Sequence, residues 1–447
     1  MPKSAEIEAV HNVYAKSAAH TVPRFRHFIV ALLLVGGMIN YIDRSTLSIA
    51  GPAMVKDLGF SMTEIGLMGT AFAWCYAIAQ IPTGWISDRV SARLIFGFSL
   101  VAWSLATSVT GLVSTLGVML VSRALLGVFE APCWPVATKI ISVWFPRQER
   151  GVAIGIFTSS AKWGPAIAPP LLVAIMLSFG WRGIFIISGI AGIAFGLAFY
   201  LLYRNPNQSK RLSSQELDFI NAGGGGVEHI LDPDKQRISW GSLFTYRSVW
   251  GLVFGYFCAI WIWNTFVVFL PMYLSHTYHV SIAKIALYAS LPWIGGGVGS
   301  VSSGFIARWV ASRFEITPLK ANQRLVASYA LFTAISLVCT GLLHNFLGTV
   351  ALMTVTLFFV SAINSSAWTM ASEIAPPSMI SSVSSIQNFG GYFGGAFAPL
   401  LAGFIVDRTG SYTLAFFVAG AIAAFGAISY LWIVKKPIDH SDGFASA

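Results

Sequence analysis

Apolar stretches long enough to cross a membrane recur along the whole of this sequence, and they constrain its fold more than any other feature. A helix needs about 20 predominantly apolar residues to cross roughly 30 Å of hydrocarbon. Only 10% of the residues are charged, whereas about 25% is usual for a soluble domain. The sequence therefore predicts an all-α integral membrane protein with twelve transmembrane helices. The expected spans, numbered 1 to 12, are 28–50, 63–87, 92–111, 114–138, 150–177, 183–203, 248–275, 284–307, 324–343, 347–371, 380–405 and 413–434.

The longest polar break divides these spans six and six. It covers residues 204–247 and contains four consecutive glycines, 223–226. Similar sequences recur at equivalent places on its two sides, such as Gly84–Arg89 after span 2 and Gly304–Arg308 after span 8. Such repeats predict two pseudo-symmetric halves of six helices each. The expected segments are an N-terminal tail (1–26), a first half (27–203), a linker (204–247), a second half (248–435) and a C-terminal tail (436–447).

The distribution of basic residues predicts the orientation in the membrane. With a cytoplasmic N-terminus, 21 of the 28 Lys and Arg residues lie in cytoplasmic tails and loops. The opposite side receives only Lys56, Arg182, Lys284 and Arg408. The positive-inside rule therefore predicts that both termini and the linker are cytoplasmic. Because this topology accounts for the net charge of +10, the charge does not indicate nucleic-acid binding.

Neither an active site nor a cofactor site is evident in the sequence. No nucleophile–base set and no set of metal ligands stands out. Nothing resembles the glycine-rich loop that binds nucleotide phosphates. We therefore expect a protein that is not an enzyme and that binds neither a cofactor nor a metal.

Five charged residues lie in the interior of the expected spans, away from the span ends, where an ionised group needs a partner or a water-filled cavity. The acids are Asp43 and Glu130, and the bases are Arg44, Arg123 and Lys162. Three positive charges against two negative ones predict a cavity suited to an organic anion, whose carboxylate an arginine can bind through two hydrogen bonds. Since Asp43 and Glu130 are the only carboxylates in the interior of the spans, they are the candidates for proton coupling.

Some of these charges have other interpretations. Asp43 and Arg44 could form a local ion pair that only stabilises span 1. Their side chains nevertheless diverge by about 100° around the helix, so each can face a different partner. Lys162 could bind a second carboxylate of the substrate, act as a counter-ion for Glu130, or extend toward the membrane interface.

The second half contributes neutral polar groups to its spans, and no buried charge. Sugar hydroxyls require such donors and acceptors, while aromatic rings such as Tyr41 and Trp368 offer apolar faces to C–H groups. The candidate substrate-binding residues, including Tyr76 from a motif described below, are Tyr41, Arg44, Tyr76, Arg123, Lys162, Asn264, Ser365, Trp368 and Asn388.

One motif between spans 2 and 3 resembles the signature of the major facilitator superfamily. The pattern is Gly84-x-x-x-Asp88-Arg89-x-x-x-Arg93, with Ser91 in place of the usual glycine and Ala92 in place of a usual basic residue. The resemblance implies two halves that rock around a central site. It also implies a latch between the halves on the cytoplasmic side, formed by Gly84, Asp88, Arg89 and Arg93.

Five further motifs narrow the resemblance to the organic anion:cation symporters. They are Asn40–Ala50, Phe72–Tyr76, Arg123-x-x-x-Gly127-x-x-Glu130-Ala131-Pro132, Trp144–Gly151 and Asn388–Gly391. Within that family, the chain is similar to bacterial transporters for galactonate, glucarate or galactarate, and hexuronates. The resemblance implies a monomer in the bacterial inner membrane that imports a sugar acid by proton symport. An exchanger of phosphate-type or other organic anions and a non-transporting membrane sensor are the alternatives.

Overall fold

The computed structural model describes residues 24–230, 239–278, 288, 290–343, 345–395, 397–409 and 412–438. These residues form α-helices joined by short turns, together with short 3-10 helices at Pro206–Gln208 and Gly241–Thr245 and a π-helical turn at Ser429–Ile433. The α-helices are α1 (Arg26–Leu58), α2 (Met62–Arg89), α3 (Ala92–Leu112), α4 (Leu116–Glu130), α5 (Cys133–Trp144), α6 (Arg147–Leu202), α7 (Ser214–Ala222), α8 (Arg247–Tyr278), α9 (Ser290–Arg313), α10 (Pro318–Leu342), α11 (Phe346–Ile374), α12 (Ile380–Gly395), α13 (Ala398–Thr409) and α14 (Tyr412–Ile428).

These helices follow the expected pattern of membrane spans, and the fold is all-α. Over the described residues, eight helical segments are long and apolar enough to cross a membrane. One of them, α6, contains both span 5 and span 6, and the non-helical geometry of Gly180 (φ 71°, ψ −179°) forms a kink between the two. The beginning of expected span 8 lies outside the described residues, apart from Tyr288.

A helix break within span 4 determines where Glu130 and Trp134 lie. Helix α4 ends at Glu130 and α5 begins at Cys133. Pro132 lies in the break, where proline supplies no backbone N–H for a helical hydrogen bond. The break therefore places Glu130 at the end of one helix and Trp134 in the first turn of the next.

The described part of the linker packs against the first half. Glu216 of α7 is fully buried and accepts hydrogen bonds from the backbone N–H groups of Phe25 and Arg26, at 3.0 and 3.1 Å. It also accepts one from the guanidinium of Arg26, at 2.9 Å. Since these N–H groups lie at the start of α1, Glu216 stabilises the N-terminus of that helix. We call the side of the bundle that carries this linker the linker side.

The two halves meet on the linker side. Gly151 and Gly155 of α6 face Ser300 and Gly304 of α9, and a Cβ atom added at Gly155 would lie 2.5 Å from the carbonyl oxygen of Ser300. Small residues four positions apart on both helices thus let the backbones approach closely. Beside this contact, Arg308 of α9 forms an ion pair with Glu149 of α6, at 3.4 Å.

Candidate functional site

A cavity lies between the two halves and is lined mainly by aromatic rings. Seven helices of the bundle contribute side chains to its wall: α1, α2, α5 and α6 of the first half, and α8, α11 and α12 of the second. The lining residues are Tyr41, Tyr76, Trp134, Ala161, Lys162, Tyr256, Ile260, Trp263, Asn364, Asn388 and Tyr392. The cavity therefore combines ring faces, hydroxyl and amide groups, and one ammonium group.

Lys162 is the cation that faces this cavity. Its side chain is 1% exposed, and its Nζ lies 4.7 Å from the centre of the Trp263 ring. This geometry is that of a cation–π contact, which holds the ammonium group in place. Among the described residues, no acid forms an ion pair with Lys162.

Arg44 has a different environment, because it is paired with Glu130. The Nε of Arg44 donates to Oε2 of Glu130 at 2.8 Å, and the Glu130 side chain is fully buried. Three rings surround the guanidinium, with centres 4.6 to 5.1 Å away, and these belong to Tyr41, Phe72 and Tyr76. A further nitrogen of Arg44 donates to the hydroxyl of Tyr392 at 3.4 Å. Arg44 is thus not among the cavity-lining residues, although Tyr392 connects it to the lining.

Asp43 points away from Arg44, toward α3 and α4. Its Oδ2 accepts a hydrogen bond from the indole N–H of Trp103 at 3.1 Å. Arg123 donates to the hydroxyl of Thr46 at 3.4 Å, and this hydroxyl donates to the backbone oxygen of Asp43 at 2.6 Å. The two neighbouring charges of α1 therefore make separate hydrogen bonds, and Arg123 is not among the lining residues.

The candidates from the second half divide into lining and packing residues. Asn388 lines the cavity and donates to the hydroxyl of Tyr76 at 3.1 Å, which joins the two halves. Trp368 is outside the lining: its N–H donates to the Tyr256 hydroxyl at 3.0 Å, and its ring packs on Trp134. Asn264 donates to the backbone oxygen of Gly395 at 2.8 Å, so its amide connects α8 with α12. Ser365 is buried in α11 outside the lining.

Sequence reasoning did not select several of the lining residues. Tyr256, Ile260 and Trp263 follow one another at intervals of four and three, which places them on one face of α8. Tyr392 lies four residues after Asn388 and shares its face in the same way. This spacing was the available signal, but rings and aliphatic side chains in a membrane helix face lipid as readily as a cavity.

Of the expected latch residues, Gly84 and Asp88 contact the second half. Both carboxylate oxygens of Asp88 accept backbone N–H groups at the start of α12, from Ser381 at 3.0 Å and Ser382 at 2.8 Å. A Cβ atom added at Gly84 would lie 2.5 Å from the side chain of Ser385, so the two helices touch there.

The two arginines of the expected latch stay within the first half. Arg89 donates to the backbone oxygen of Trp85 at 3.0 Å, in its own helix. Arg93 donates to the backbone oxygen of Tyr200, at the end of α6, at 2.7 Å. In this conformation the contact between the halves at the motif is therefore made by the carboxylate and the glycine.

Comparisons with known proteins cover nearly the whole chain. A family model described as Major Facilitator Superfamily matches residues 33–321 and 321–446. A "Probable L-galactonate transporter" of Escherichia coli strain K12 is 33% identical over 418 residues, which are 94% of this chain and 91% of the relative. A "Probable galactarate/D-glucarate transporter" of the same strain is 30% identical over 94% of this chain and 96% of its own length. A "Probable sulfoacetate transporter" of Cupriavidus necator is 29% identical over 91% of this chain and 94% of its own length.

Solved structures of similar fold are also transport proteins. The proton:xylose symporter XylE superimposes with a TM-score of 0.73 at 15% identity, over 94% of this chain and 98% of the symporter chain. The Escherichia coli fucose:proton symporter FucP gives a TM-score of 0.68 at 16% identity, over 92% of this chain and all of the symporter chain. At these identities the two structures establish the likeness of fold alone.

Proposed function

Since this chain belongs to the major facilitator superfamily, we propose that it imports a sugar acid (a hexonate, hexarate or hexuronate) together with protons. The chain is a multi-pass membrane transporter and not an enzyme. Relatives named for galactonate or for galactarate and D-glucarate support a sugar acid as the substrate. The proposal places the protein in the bacterial inner membrane as a monomer, with both termini in the cytoplasm.

The observation that carries the proposal is the position of the Arg44–Glu130 pair next to the cavity that Lys162 faces. The cavity offers a cation for a carboxylate, and the amides of Asn364 and Asn388 for sugar hydroxyls. Its rings suit the C–H faces of a sugar chain. The buried ion pair beside it supplies a carboxylate that can take up a proton.

Glu130 is the first proposed proton carrier. While Glu130 is ionised, it holds the guanidinium of Arg44 at 2.8 Å. A proton on Glu130 removes that negative charge and frees Arg44 to move toward the cavity, where it already donates to the Tyr392 hydroxyl at 3.4 Å. An anion that attracts Arg44 favours the same change, so proton binding and substrate binding assist each other.

Asp43 is the second proposed proton carrier. Its Oδ1 has no hydrogen-bond partner among the described residues, while Oδ2 accepts the Trp103 N–H. A protonated carboxyl group is itself a donor, so it would need a new acceptor within α1, α3 or α4. In our proposal this rearrangement accompanies the separation of the two halves on the linker side, where Asp88 now contacts α12.

Transport into proteoliposomes tests the proposal. An inwardly directed proton gradient should drive labelled D-galactonate above its equilibrium level, and a protonophore should abolish this accumulation. In Glu130→Gln the accumulation should fall to the equilibrium level, because one of the two proposed proton carriers is lost and the proposed coupling needs both. Exchange of labelled for unlabelled substrate should persist in that variant, since exchange needs no net proton movement.

Other results of the transport experiment would point to a different function. Exchange without any effect of pH in the unsubstituted protein would identify an anion exchanger. Absence of solute movement down any gradient would identify a sensor. Full proton-driven accumulation by the double variant Asp43→Asn, Glu130→Gln would overturn the assignment of both acids as proton carriers.

A further inference from the structure

We propose that the cavity is built for a sugar acid with a single carboxylate, a hexonate, and that Lys162 binds this carboxylate. The inference rests on the transport function proposed above and makes its substrate class narrower. It also assigns the contact with the carboxylate to Lys162, which lines the cavity, and not to Arg44, which does not.

The first step is the placement of the buried charges. Glu130 balances the charge of Arg44 at 2.8 Å, and the Arg44 guanidinium lies 5.0 and 4.6 Å from the rings of Tyr41 and Tyr76, which line the cavity. Asp43 accepts a hydrogen bond from Trp103 of α3, and Arg123 of α4 donates to Thr46 of α1. Of the charged side chains that the structure describes, Lys162 is therefore the one that reaches the cavity wall.

The second step is the state of the Lys162 ammonium group. A buried ammonium group is costly unless it has a partner, and the described residues offer Lys162 only the ring face of Trp263. A cation–π contact uses one side of the group and leaves N–H donors for another acceptor. A carboxylate entering the cavity provides both the negative charge and the acceptor oxygens that are missing.

The third step is the chemistry of the remaining wall, which is neutral. Asn364 accepts a hydrogen bond from the Tyr256 hydroxyl at 3.5 Å, and Asn388 donates to Tyr76. The Oδ1 atom of Asn388 accepts no hydrogen bond within the described part of the chain. A substrate hydroxyl can donate to this oxygen, whereas an ionised carboxylate has acceptors only.

These steps together distinguish a hexonate from a hexarate. A hexonate presents one carboxylate to Lys162 and a terminal hydroxymethyl group to the neutral wall. While Glu130 neutralises Arg44, as it does in this structure, a hexarate would place its second charge among rings and amides without a counter-ion. Burial of an unpaired charge is strongly unfavourable. We therefore expect the cavity to discriminate between two molecules that share the same carbon chain and hydroxyl configuration.

Equilibrium binding to the purified full-length protein tests this inference with D-galactonate, galactarate and galactitol, which carry one, two and no carboxylates. D-Galactonate should bind at least about ten-fold more tightly than either of the others, as expected for one charge-assisted contact. Lys162→Gln should weaken D-galactonate binding about ten- to a hundred-fold. Lys162→Arg keeps the charge and should retain the preference for D-galactonate over galactarate.

Lys56→Gln is the matched control, because Lys56 is an exposed lysine at the end of α1. It should bind all three compounds as the unsubstituted protein does. Galactarate binding as tightly as D-galactonate would overturn the inference, and this measurement needs no variant. Unchanged D-galactonate binding by folded Lys162→Gln would also overturn it, while leaving sugar-acid transport intact. If no sugar acid binds to or is transported by the unsubstituted protein, the proposed function itself is wrong.

Discussion

At the scale of single residues, one step along α1 separates two sets of buried charges. Asp43 accepts the Trp103 N–H from α3, whereas Arg44, the next residue, pairs with Glu130 of α4. Successive side chains of a helix point about 100° apart, which accounts for the separation. Because Arg44 is neutralised and Lys162 is not, our proposals give Arg44 a part in proton coupling and Lys162 the contact with substrate.

Tyr392 connects the cavity with the Arg44–Glu130 ion pair, since it lines the cavity and accepts a hydrogen bond from Arg44 at 3.4 Å. Tyr392→Phe keeps the ring and removes the hydroxyl. We expect the variant to bind substrate within about five-fold of the unsubstituted affinity, since a neutral hydrogen bond contributes about 1 kcal/mol or less. Proton-driven accumulation should fall relative to exchange, because the contact between the cavity and the ion pair is lost.

Tyr256→Phe is the appropriate control for this measurement. Tyr256 also lines the cavity, but its hydroxyl contacts Trp368 and Asn364 of the same half. The Tyr256→Phe substitution should therefore change the affinity for substrate and leave the ratio of accumulation to exchange unchanged. An equal ratio in both variants would show that the Tyr392 hydroxyl has no part in coupling.

Residue types alone located the buried charges but not their partners. The five charged positions and their membrane depth follow from hydropathy, and so does the divergence of Asp43 from Arg44. The pairing of Arg44 with Glu130 joins residues 86 positions apart and depends on how α1 and α4 pack. Four rings of the lining were missed for a related reason, since an apolar ring has the same hydropathy whether it faces lipid or a cavity. These rings belong to Trp134, Tyr256, Trp263 and Tyr392.

At the scale of helices and their connections, the least expected feature is the linker. Its glycines and charges suggested only a polar connection. In the structure, the glycine run contacts the first half: the Arg147 N–H donates to the Gly223 oxygen at 2.9 Å, and the Gly226 N–H donates to the Val143 oxygen at 2.7 Å. Such contacts between distant residues leave no local pattern in a sequence, whereas the apolar spans do.

The contact between Glu216 and the start of α1 leads to a stability prediction. Glu216→Gln should lower the free energy of unfolding by about 1–3 kcal/mol, because the buried acid accepts two backbone N–H groups and one guanidinium N–H of α1. Thermal unfolding of the purified protein measures the change. Substrate affinity should stay the same, since Glu216 is far along the chain from the cavity-lining residues and is not one of them.

Glu64→Gln provides the comparison at another helix start. Glu64 accepts the Ser61 N–H in the first turn of α2, but that contact is exposed. An exposed cap contributes about 1 kcal/mol or less, so the loss of stability should be smaller there. Equal losses of unfolding free energy in the two variants would show that burial does not strengthen the hydrogen bonds that Glu216 accepts.

At the scale of the whole molecule, the start of α1 and the linker lie beside the contact between the two halves. Helix α1 begins at Arg26, whose side chain forms ion pairs with Glu149 of α6 and Glu216 of the linker. Glu149 also pairs with Arg308 of the second half. One chain of charged contacts thus connects the linker, the first helix and the opposite half. Exposed members of this set contribute little individually.

The orientation of this side in the membrane is a prediction that a reporter can test. We expect it to face the cytoplasm, because most Lys and Arg residues lie there. A reporter active only in the periplasm should be silent when fused after Lys436. The same reporter inserted between Leu58 and Phe60, after α1, should be active. The reverse pattern would invert the proposed topology.

The close contact of Gly151 with Gly304 has a practical consequence for trapping conformations. A methyl group at position 304 would collide with the backbone of Gly151 and Val152. Its carbon would lie 2.6 Å from the Cα of Val152. Gly304→Ala should therefore weaken the contact between the halves on the linker side. It should destabilise the conformation seen here without changing any cavity-lining residue. Such a variant would favour a conformation in which the halves are apart on the linker side, and it would give crystallographers and inhibitor screens access to a conformation other than the one seen here.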